Sequence, residues 1–143
     1  MKYLYRIYQV VVFLPLFILI SLFTSIITVV GCTLGNGHFW GYYPGRYWAR
    51  SVIRLLFLPV KVEGRENLKP GQSYVFVANH QGAFDIFLIY GFLNRNFKWM
   101  MKHQLGRIPF VGYACKCAHH IFVDRGGASK VRKTYEEARE ILQ

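Results

Sequence analysis

The sequence predicts an α/β fold that is preceded by an N-terminal segment associated with a membrane. Two observations lead to this prediction. Residues 9–45 contain no Lys, Arg, Asp or Glu, and after residue 59 short apolar runs alternate with helical patterns. Such alternation of strands and helices is typical of α/β domains. We therefore divide the chain into a membrane-anchoring segment, residues 1–58, and an α/β portion, residues 59–143.

The apolar stretch at residues 10–30 has the length of a membrane helix. It contains about 21 residues, and about 20 are needed to cross a bilayer core. Pro15 predicts a kink or a shallow entry. A membrane helix or re-entrant hairpin is favoured over a cleaved signal peptide, whose apolar core is shorter. The sequence Val29-Val30-Gly31-Cys32 also resembles a bacterial lipoprotein cleavage box, which leaves lipid attachment at Cys32 as a third alternative.

Aromatic and basic residues follow the apolar stretch. Residues 38–48 are rich in Trp and Tyr, which favour the headgroup layer of a bilayer. Residues 47–58 place Arg50 and Arg54 four positions apart among apolar residues, a pattern that predicts a helix on the membrane surface. The alternative is a helix packed on the α/β portion. Basic residues flank the apolar stretch on both sides, which favours a hairpin with both ends in the cytosol.

The charge balance indicates an anionic partner. The formal net charge is +11, which is compatible with nucleic acid or with an anionic lipid surface. The neighbouring apolar segment favours lipid, and the absence of a nucleic-acid-binding motif leads us to expect no nucleic-acid partner. The three cysteines are too few and too unevenly placed for a disulfide framework. They favour a reducing compartment.

The α/β portion is predicted to contain short strands and helices in alternation. Apolar and β-branched runs predict strands at residues 59–64, 73–78, 97–101 and 120–123, the second of them buried. Helical patterns predict a helix at residues 85–92, a broken helix at 105–116 and an amphipathic helix at 129–142. The sequence Cys115-x-Cys117-x-His119-His120 crowds four possible ligands together, unlike the separated pairs of usual zinc sites. We therefore expect no metal.

The segment from Asn79 to Asp85 joins a predicted strand to a predicted helix. Active sites of α/β proteins lie beyond the carboxyl ends of strands. A compact turn containing Gly82 is predicted to fold the Asp85 carboxylate back onto the His80 imidazole. One ring nitrogen is then held protonated, and the other is available to take a proton from a hydroxyl. The alternative is chance spacing, with Asp85 acting as a helix N-cap.

Three ordered motifs carry a resemblance to a known family. Asn79-His80-x4-Asp85 resembles the NHxxxxD block of the glycerolipid acyltransferases, in particular the 1-acylglycerol-3-phosphate acyltransferases. A second block follows at the spacing of that family, with Lys102 and then Leu105-Gly-Arg-Ile-Pro-Phe-Val-Gly112. A third block ends at Asp124-Arg125. The resemblance covers roughly residues 59–143.

The resemblance implies a mixed sheet with flanking helices and an acyl transfer at a membrane. In that family an acyl group passes from acyl-CoA or acyl carrier protein to the free hydroxyl of a lysophospholipid, here lysophosphatidate, giving phosphatidate. His80 is implied to be the general base and Asp85 the residue that orients it. Arg125 is implied to bind the acceptor phosphate, and Asn79, Lys102 and Gly112 are further substrate-binding candidates. No cofactor is required.

The family pattern is incomplete in this sequence. Family members continue from a helix like that at residues 129–142 into a Glu-Gly-Thr-Arg-like block, which this chain lacks. We therefore expect the chain to be the N-terminal part of an acyltransferase at a membrane, on the cytoplasmic face of the inner membrane if the source is bacterial. The alternatives are another acceptor (glycerol-3-phosphate or a lyso-amino-lipid), an inactive truncated membrane module, and an exported lipoprotein.

Overall fold

The computed structural model describes residues 2–79, 81–124 and 126–142. The helices of the described residues are α1 Lys2–Tyr8, α2 Leu14–Leu34, α3 Gly37–Trp40, α4 Tyr43–Leu55, α5 Phe84–Phe92, α6 Val111–Cys117 and α7 Ala128–Leu142. Strands β1 (Met100–Lys102) and β2 (Ile121–Val123) pair in parallel, with Met101 opposite Phe122. The α/β class is confirmed in part. The predicted mixed sheet is limited, within the described residues, to these two parallel strands.

Helices α1 and α2 are joined by a π-helical turn, Gln9–Phe13. Pro15 lies in the first turn of α2 and has no N–H, so a regular α-helix leaves a carbonyl four residues earlier without its donor. The π-helical turn shifts the bonding by one residue, and the Leu14 N–H donates to the Gln9 carbonyl. The helical path from Lys2 to Leu34 is the one part of the described chain that is long and apolar enough to cross a membrane.

The end of α2 is set by Gly35 and Asn36. Gly35 closes the last turn by donating its N–H to the Gly31 carbonyl at 2.9 Å. Asn36 then begins α3, and its Oδ1 accepts from the His38 N–H at 2.8 Å. The side chain of Asn36 thus satisfies a backbone donor that the short helix leaves open. Cys32 lies inside α2, two residues before its end at Leu34.

Helix α4 packs between α2 and α5. Ala49, Val52 and Ile53 are buried. The Arg50 Nε donates to the Gly91 carbonyl at 2.7 Å, where α5 ends. Cations favour the C-terminal end of a helix because its last carbonyls have no partner within the helix. The alternative, a helix packed on the α/β portion, is the one observed.

Part of the aromatic cluster at residues 38–48 belongs to the core, where Tyr42 is buried and Tyr43 and Trp48 pack against it. Tyr42 is 1% exposed and its ring lies 5.6 Å from that of Tyr90. Gly45 makes this packing possible, since a Cβ there would lie 2.5 Å from the Tyr90 ring. Phe39 and Tyr47 remain exposed. The prediction of an interfacial belt was therefore wrong for Tyr42, whose partner Tyr90 is distant in sequence.

Two predicted strands are absent from the described structure. Residues 59–64 and 73–78 have no regular strand pairing. Residues 73–78 have no regular secondary structure, and Val75 is 92% exposed and Val77 is 93% exposed, so the prediction of a buried strand was wrong. One side of the segment does pack, because the Phe76 ring lies 6.1 Å from that of Phe97. Strand pairing depends on neighbours that local sequence does not determine.

The remaining elements agree with the predictions. The helix at residues 85–92 is α5, and the strand at 120–123 is β2. The strand at 97–101 is shorter than predicted and begins at Met100 as β1. The broken helix at 105–116 is a 3₁₀ turn, His103–Arg107, followed by α6, with Pro109 between them. The helix at 129–142 is α7, which packs against β2.

Candidate active site

The Asp85 carboxylate folds back over the loop that precedes α5. Its Oδ2 accepts hydrogen bonds from the Gln81 N–H at 2.7 Å and from the Gly82 N–H at 3.0 Å. The loop is closed from the other side by the Asp85 N–H, which donates to the Gly82 carbonyl at 3.2 Å. Asp85 lies in the first turn of α5, where a negative charge is favoured by the helix dipole. It occupies a position inside the helix, whereas the alternative interpretation made it the N-cap.

A compact turn is present around Asp85, but it does not require a glycine at position 82. Gly82 has a backbone conformation open to other residues, and a Cβ there would meet no atom within 4 Å. The turn is instead held by the two N–H bonds to the carboxylate. The predicted general base, His80, and the predicted phosphate ligand, Arg125, both lie outside the described residues.

The other predicted substrate contacts are spread over different elements. Asn79 is exposed directly after residues 73–78, and Lys102 is exposed at the end of β1. Gly112 is buried in α6. A Cβ at Gly112 would lie 2.3 Å from the Gly106 carbonyl oxygen. Gly112 therefore lies where two backbone segments meet. Close packing explains why this residue is a glycine, without any contact with a substrate.

His120 is a buried histidine whose surroundings distinguish it from a general base. Its Nδ1 accepts from the Trp99 N–H at 3.3 Å. Burial, aided by Lys98 and His119, lowers its pKa to about 3. A general base works best with a pKa near the operating pH. His120 is therefore a neutral core residue.

The Cys115–His120 segment does not form a ligand cluster. Among the described residues no group of three or more His, Cys, Asp or Glu side chains is arranged to hold a metal. Cys115 lies on α6 and His119 is exposed. His120 instead faces the Trp99 backbone at the start of β2.

Phe110 is a feature of the second block that sequence reasoning did not single out. Its φ is 62° and its ψ is −56°, a strained combination for a residue other than glycine. The Val111 N–H donates to the Pro109 carbonyl at 2.6 Å, which closes a three-residue turn around Phe110. The turn leaves the aromatic ring 62% exposed. The sequence did not indicate this turn, because phenylalanine is not a residue type that usually adopts a positive φ.

Comparison with known proteins adds the family. The acyltransferase family model matches residues 59–143. A 1-acyl-sn-glycerol-3-phosphate acyltransferase of Chlamydomonas reinhardtii is 33% identical over 60% of this chain and 26% of its own length. One of Saccharomyces cerevisiae is 29% identical over 82% of this chain and 39% of its own. One of Helicobacter pylori is 37% identical over 48% of this chain and 29% of its own. No solved structure matches significantly.

These matches define how far the resemblance extends. The chain spans between about a quarter and two fifths of the length of the three relatives named above. The family model nevertheless covers the whole α/β portion, including the blocks that contain Asp85 and Lys102. The resemblance inferred from the motifs is therefore confirmed, and the chain belongs to the acyltransferase family, where it is similar to the N-terminal part of 1-acyl-sn-glycerol-3-phosphate acyltransferases.

Proposed function

We propose that the protein transfers a fatty acyl group from a thioester donor to the free hydroxyl of lysophosphatidate, giving phosphatidate in phospholipid synthesis. The donor is acyl-CoA or acyl carrier protein. The observation that carries the proposal is the Asp85 carboxylate, held by two backbone N–H groups directly after position 80. Membership of the acyltransferase family supports the reaction class, and the names of several relatives support the acceptor.

The proposed mechanism uses the substrate's own hydroxyl as the nucleophile. The neutral His80 imidazole takes the hydroxyl proton while the oxygen attacks the thioester carbonyl. The tetrahedral intermediate collapses with cleavage of the C–S bond, and the imidazolium returns the proton to the departing thiolate. Asp85 orients the ring and stabilises its positive charge in the transition state. The two N–H bonds leave the carboxylate little freedom to rotate, which suits this role.

The remaining candidates are assigned to substrate binding. Arg125 is proposed to bind the acceptor phosphate through its guanidinium fork. Lys102, at the carboxyl end of β1, supplies a second cation from the neighbouring block. Asn79 is proposed to contact the substrate beside His80. Gly112 is withdrawn from this set, because its buried backbone contact accounts for it.

The proposed reaction is tested by following both products of one assay. The full-length protein in mixed micelles is given acyl-CoA and lysophosphatidate, and free thiol and phosphatidate are measured together. We expect the two to appear in equal amounts. Thiol release without phosphatidate would indicate a thioesterase and contradict the proposal. A higher rate with glycerol-3-phosphate in place of lysophosphatidate would show that the assigned acceptor is wrong.

Residues 1–58 are proposed to anchor the protein in the plane of one leaflet. The helix from Lys2 to Leu34 is attached to α4 at widely separated points. The Tyr5 hydroxyl donates to the Leu56 carbonyl at 3.1 Å, and the Trp48 Nε1 donates to the Ser21 Oγ at 2.9 Å. Further along the helix, Thr28 is buried. The two hydrogen bonds and the burial of Thr28 show that protein covers one side of the helix at points from residue 5 to residue 28, which are about 35 Å apart at 1.5 Å per residue.

A spanning orientation does not fit this attachment. The hydrocarbon core is about 30 Å thick, so a helix that crossed it would draw α4 and its arginines into the apolar layer. The opposite face of the helix is apolar and open, and it includes Leu19, Phe23 and Ile26, each more than half exposed. If the apolar face is in the lipid and the opposite face is on the protein, the helix lies along the membrane surface. The same arrangement places both ends on one side of the bilayer.

The anchoring proposal predicts that both ends of the helix react from the same side. Cysteines are introduced singly by Lys2→Cys and Gly37→Cys in a chain whose three native cysteines are serines. Gly37 is suitable because a Cβ there meets no atom within 4 Å. In one preparation of sealed proteoliposomes, a membrane-impermeant maleimide is expected to label both positions to the same extent. Labelling of one position only, with the other reacting after detergent is added, would establish a spanning helix.

A further inference from the structure

A basic cleft lies where the two parallel strands end. Its volume is about 400 Å³, within the range of pockets that hold small molecules. It is lined by His103, Gly106, Arg107, Lys116, Phe122, Asp124, Lys130 and Thr134. His103 and Asp124 are the residues that directly follow β1 and β2. In parallel sheets ligands bind beyond the carboxyl ends of the strands, so the cleft occupies the expected position for a binding site.

The cleft is assembled from four separate parts of the chain. Arg107 comes from the 3₁₀ turn after β1, Lys116 from α6 and Lys130 from α7. Among its described lining residues there are three permanent cations and a single carboxylate, that of Asp124. Three cations on independent elements thus line one cleft. A concentration of positive charge of this kind attracts anionic ligands.

Asp124 offsets only part of the positive charge. The Lys130 Nζ lies 2.9 Å from the Asp124 Oδ2, and the Gly126 N–H donates to Oδ1 at 2.9 Å. The bond from Lys130, followed by that from Gly126, lowers the Asp124 pKa. The carboxylate is therefore ionised at neutral pH and neutralises one cation. Arg107 and Lys116 leave the lining with a net positive charge.

The lining also contains one large apolar group, the Phe122 ring. The ring lies against Gly106, where a Cβ would be only 3.1 Å from the Phe122 Cε1. The absence of a side chain at Gly106 allows this close approach. A single ring offers a stacking surface for an aromatic group but no groove for a fatty acyl chain. The ligand that fits is a water-soluble polyanion that contains an aromatic ring.

We propose that this cleft binds the nucleotide end of a coenzyme A thioester, with its phosphates on Arg107, Lys116 and Lys130 and its adenine on Phe122. The inference rests on the proposed acyl transfer and selects between its two donors. Coenzyme A carries several phosphate charges and an adenine. The prosthetic group of acyl carrier protein carries one phosphodiester charge and no base. It would therefore leave most of the cations of the cleft, and the Phe122 ring, without a partner.

The proposal is tested by binding of adenosine 3′,5′-bisphosphate to the full chain, measured by calorimetry at fixed salt. Lys116→Gln and Arg107→Gln are each expected to raise the Kd about tenfold, as loss of a charged hydrogen bond does. Asp124→Asn is expected to lower the Kd, because it removes the negative charge. Arg132→Gln is the matched control, since Arg132 is on the same helix as Lys130 and pairs with Glu136 at 3.1 Å away from the cleft lining. Its Kd is expected to equal that of the unmodified chain.

Two comparisons distinguish a nucleotide site from a site for free phosphate or for the headgroup of the acceptor. Inorganic phosphate is expected to bind much more weakly than the nucleotide, and equal affinity would overturn the assignment of a nucleotide site. Glycerol 3-phosphate, the acceptor's headgroup, is expected not to displace the nucleotide. Displacement would assign the cleft to the acceptor and overturn the proposal.

Failure of this proposal is distinct from failure of the proposed function. Unchanged nucleotide affinity in Lys116→Gln and Arg107→Gln overturns the cleft assignment, even where acyl transfer proceeds. The predicted shifts in Kd, measured without turnover, support the cleft even if the acyl-transfer assay gives no phosphatidate.

Discussion

Replacing His80 with alanine is expected to lower kcat for acyl transfer about a thousandfold, the range that a positioned general base contributes. Without the imidazole, the acceptor hydroxyl has no group to take its proton as it attacks the thioester. KM for both substrates is expected to change little, because the base acts mainly in the transition state. The rate is measured as phosphatidate formed under saturating substrates, with folding checked by circular dichroism.

Two further variants sharpen this expectation. Asp85→Asn is expected to lower kcat at least about a hundredfold, the lower end of what positioned acid–base catalysis contributes, since an amide in place of the carboxylate no longer stabilises the imidazolium. His38→Ala is the matched control, because His38 is exposed and its imidazole makes no contact that the proposed mechanism uses. Full activity in His80→Ala would contradict the assignment of the base. Equal losses in His80→Ala and His38→Ala would indicate that histidine replacement acts through folding.

Substituting Gly112 with alanine is expected to destabilise the fold by about 3 kcal/mol, near the upper end of typical overpacking effects. The added Cβ would lie 2.3 Å from the Gly106 carbonyl oxygen and 2.6 Å from its carbonyl carbon. Both are backbone atoms, which cannot rotate away as a flexible side chain does. Thermal unfolding in detergent is expected to show a lower Tm and a lower yield of folded protein.

The control for this substitution is Gly37→Ala, where the added Cβ meets no atom within 4 Å. It is expected to leave Tm nearly unchanged. The two interpretations of Gly112 give different results in this experiment. A Gly112→Ala variant with normal Tm and a raised KM would restore Gly112 as a substrate contact and refute its role in packing.

The parts of the structure that the sequence predicted are those determined locally. Helix α5 follows from its apolar run. A compact turn before α5 was also predicted, and the Asp85 carboxylate holds one there through the Gln81 and Gly82 N–H groups. The three motif blocks identified the family without any structural information.

The parts that were not predicted depend on residues far apart in the chain. Tyr42 was placed at a membrane surface, but its neighbour Tyr90 is 48 positions further along the chain and buries it. Arg50 was interpreted as a contact for lipid, whereas its partner is the Gly91 carbonyl. Lys116 and Lys130 come together only through the pairing of β1 with β2 and the packing of α7. Contacts between residues so far apart in the chain cannot be predicted from a local sequence pattern.

The long N-terminal helix has a consequence for the lipid around it. A rod from Lys2 to Leu34 has 33 residues, which corresponds to about 50 Å. If it lies in one leaflet, it displaces lipid there and leaves the other leaflet untouched. Each bound molecule then widens one side of the bilayer alone, by about 500 Å² for a helix about 10 Å wide. Anchoring is consequently linked to the mechanical tension of that leaflet, and loosely packed, outwardly curved membrane accommodates the protein at the lowest energetic cost.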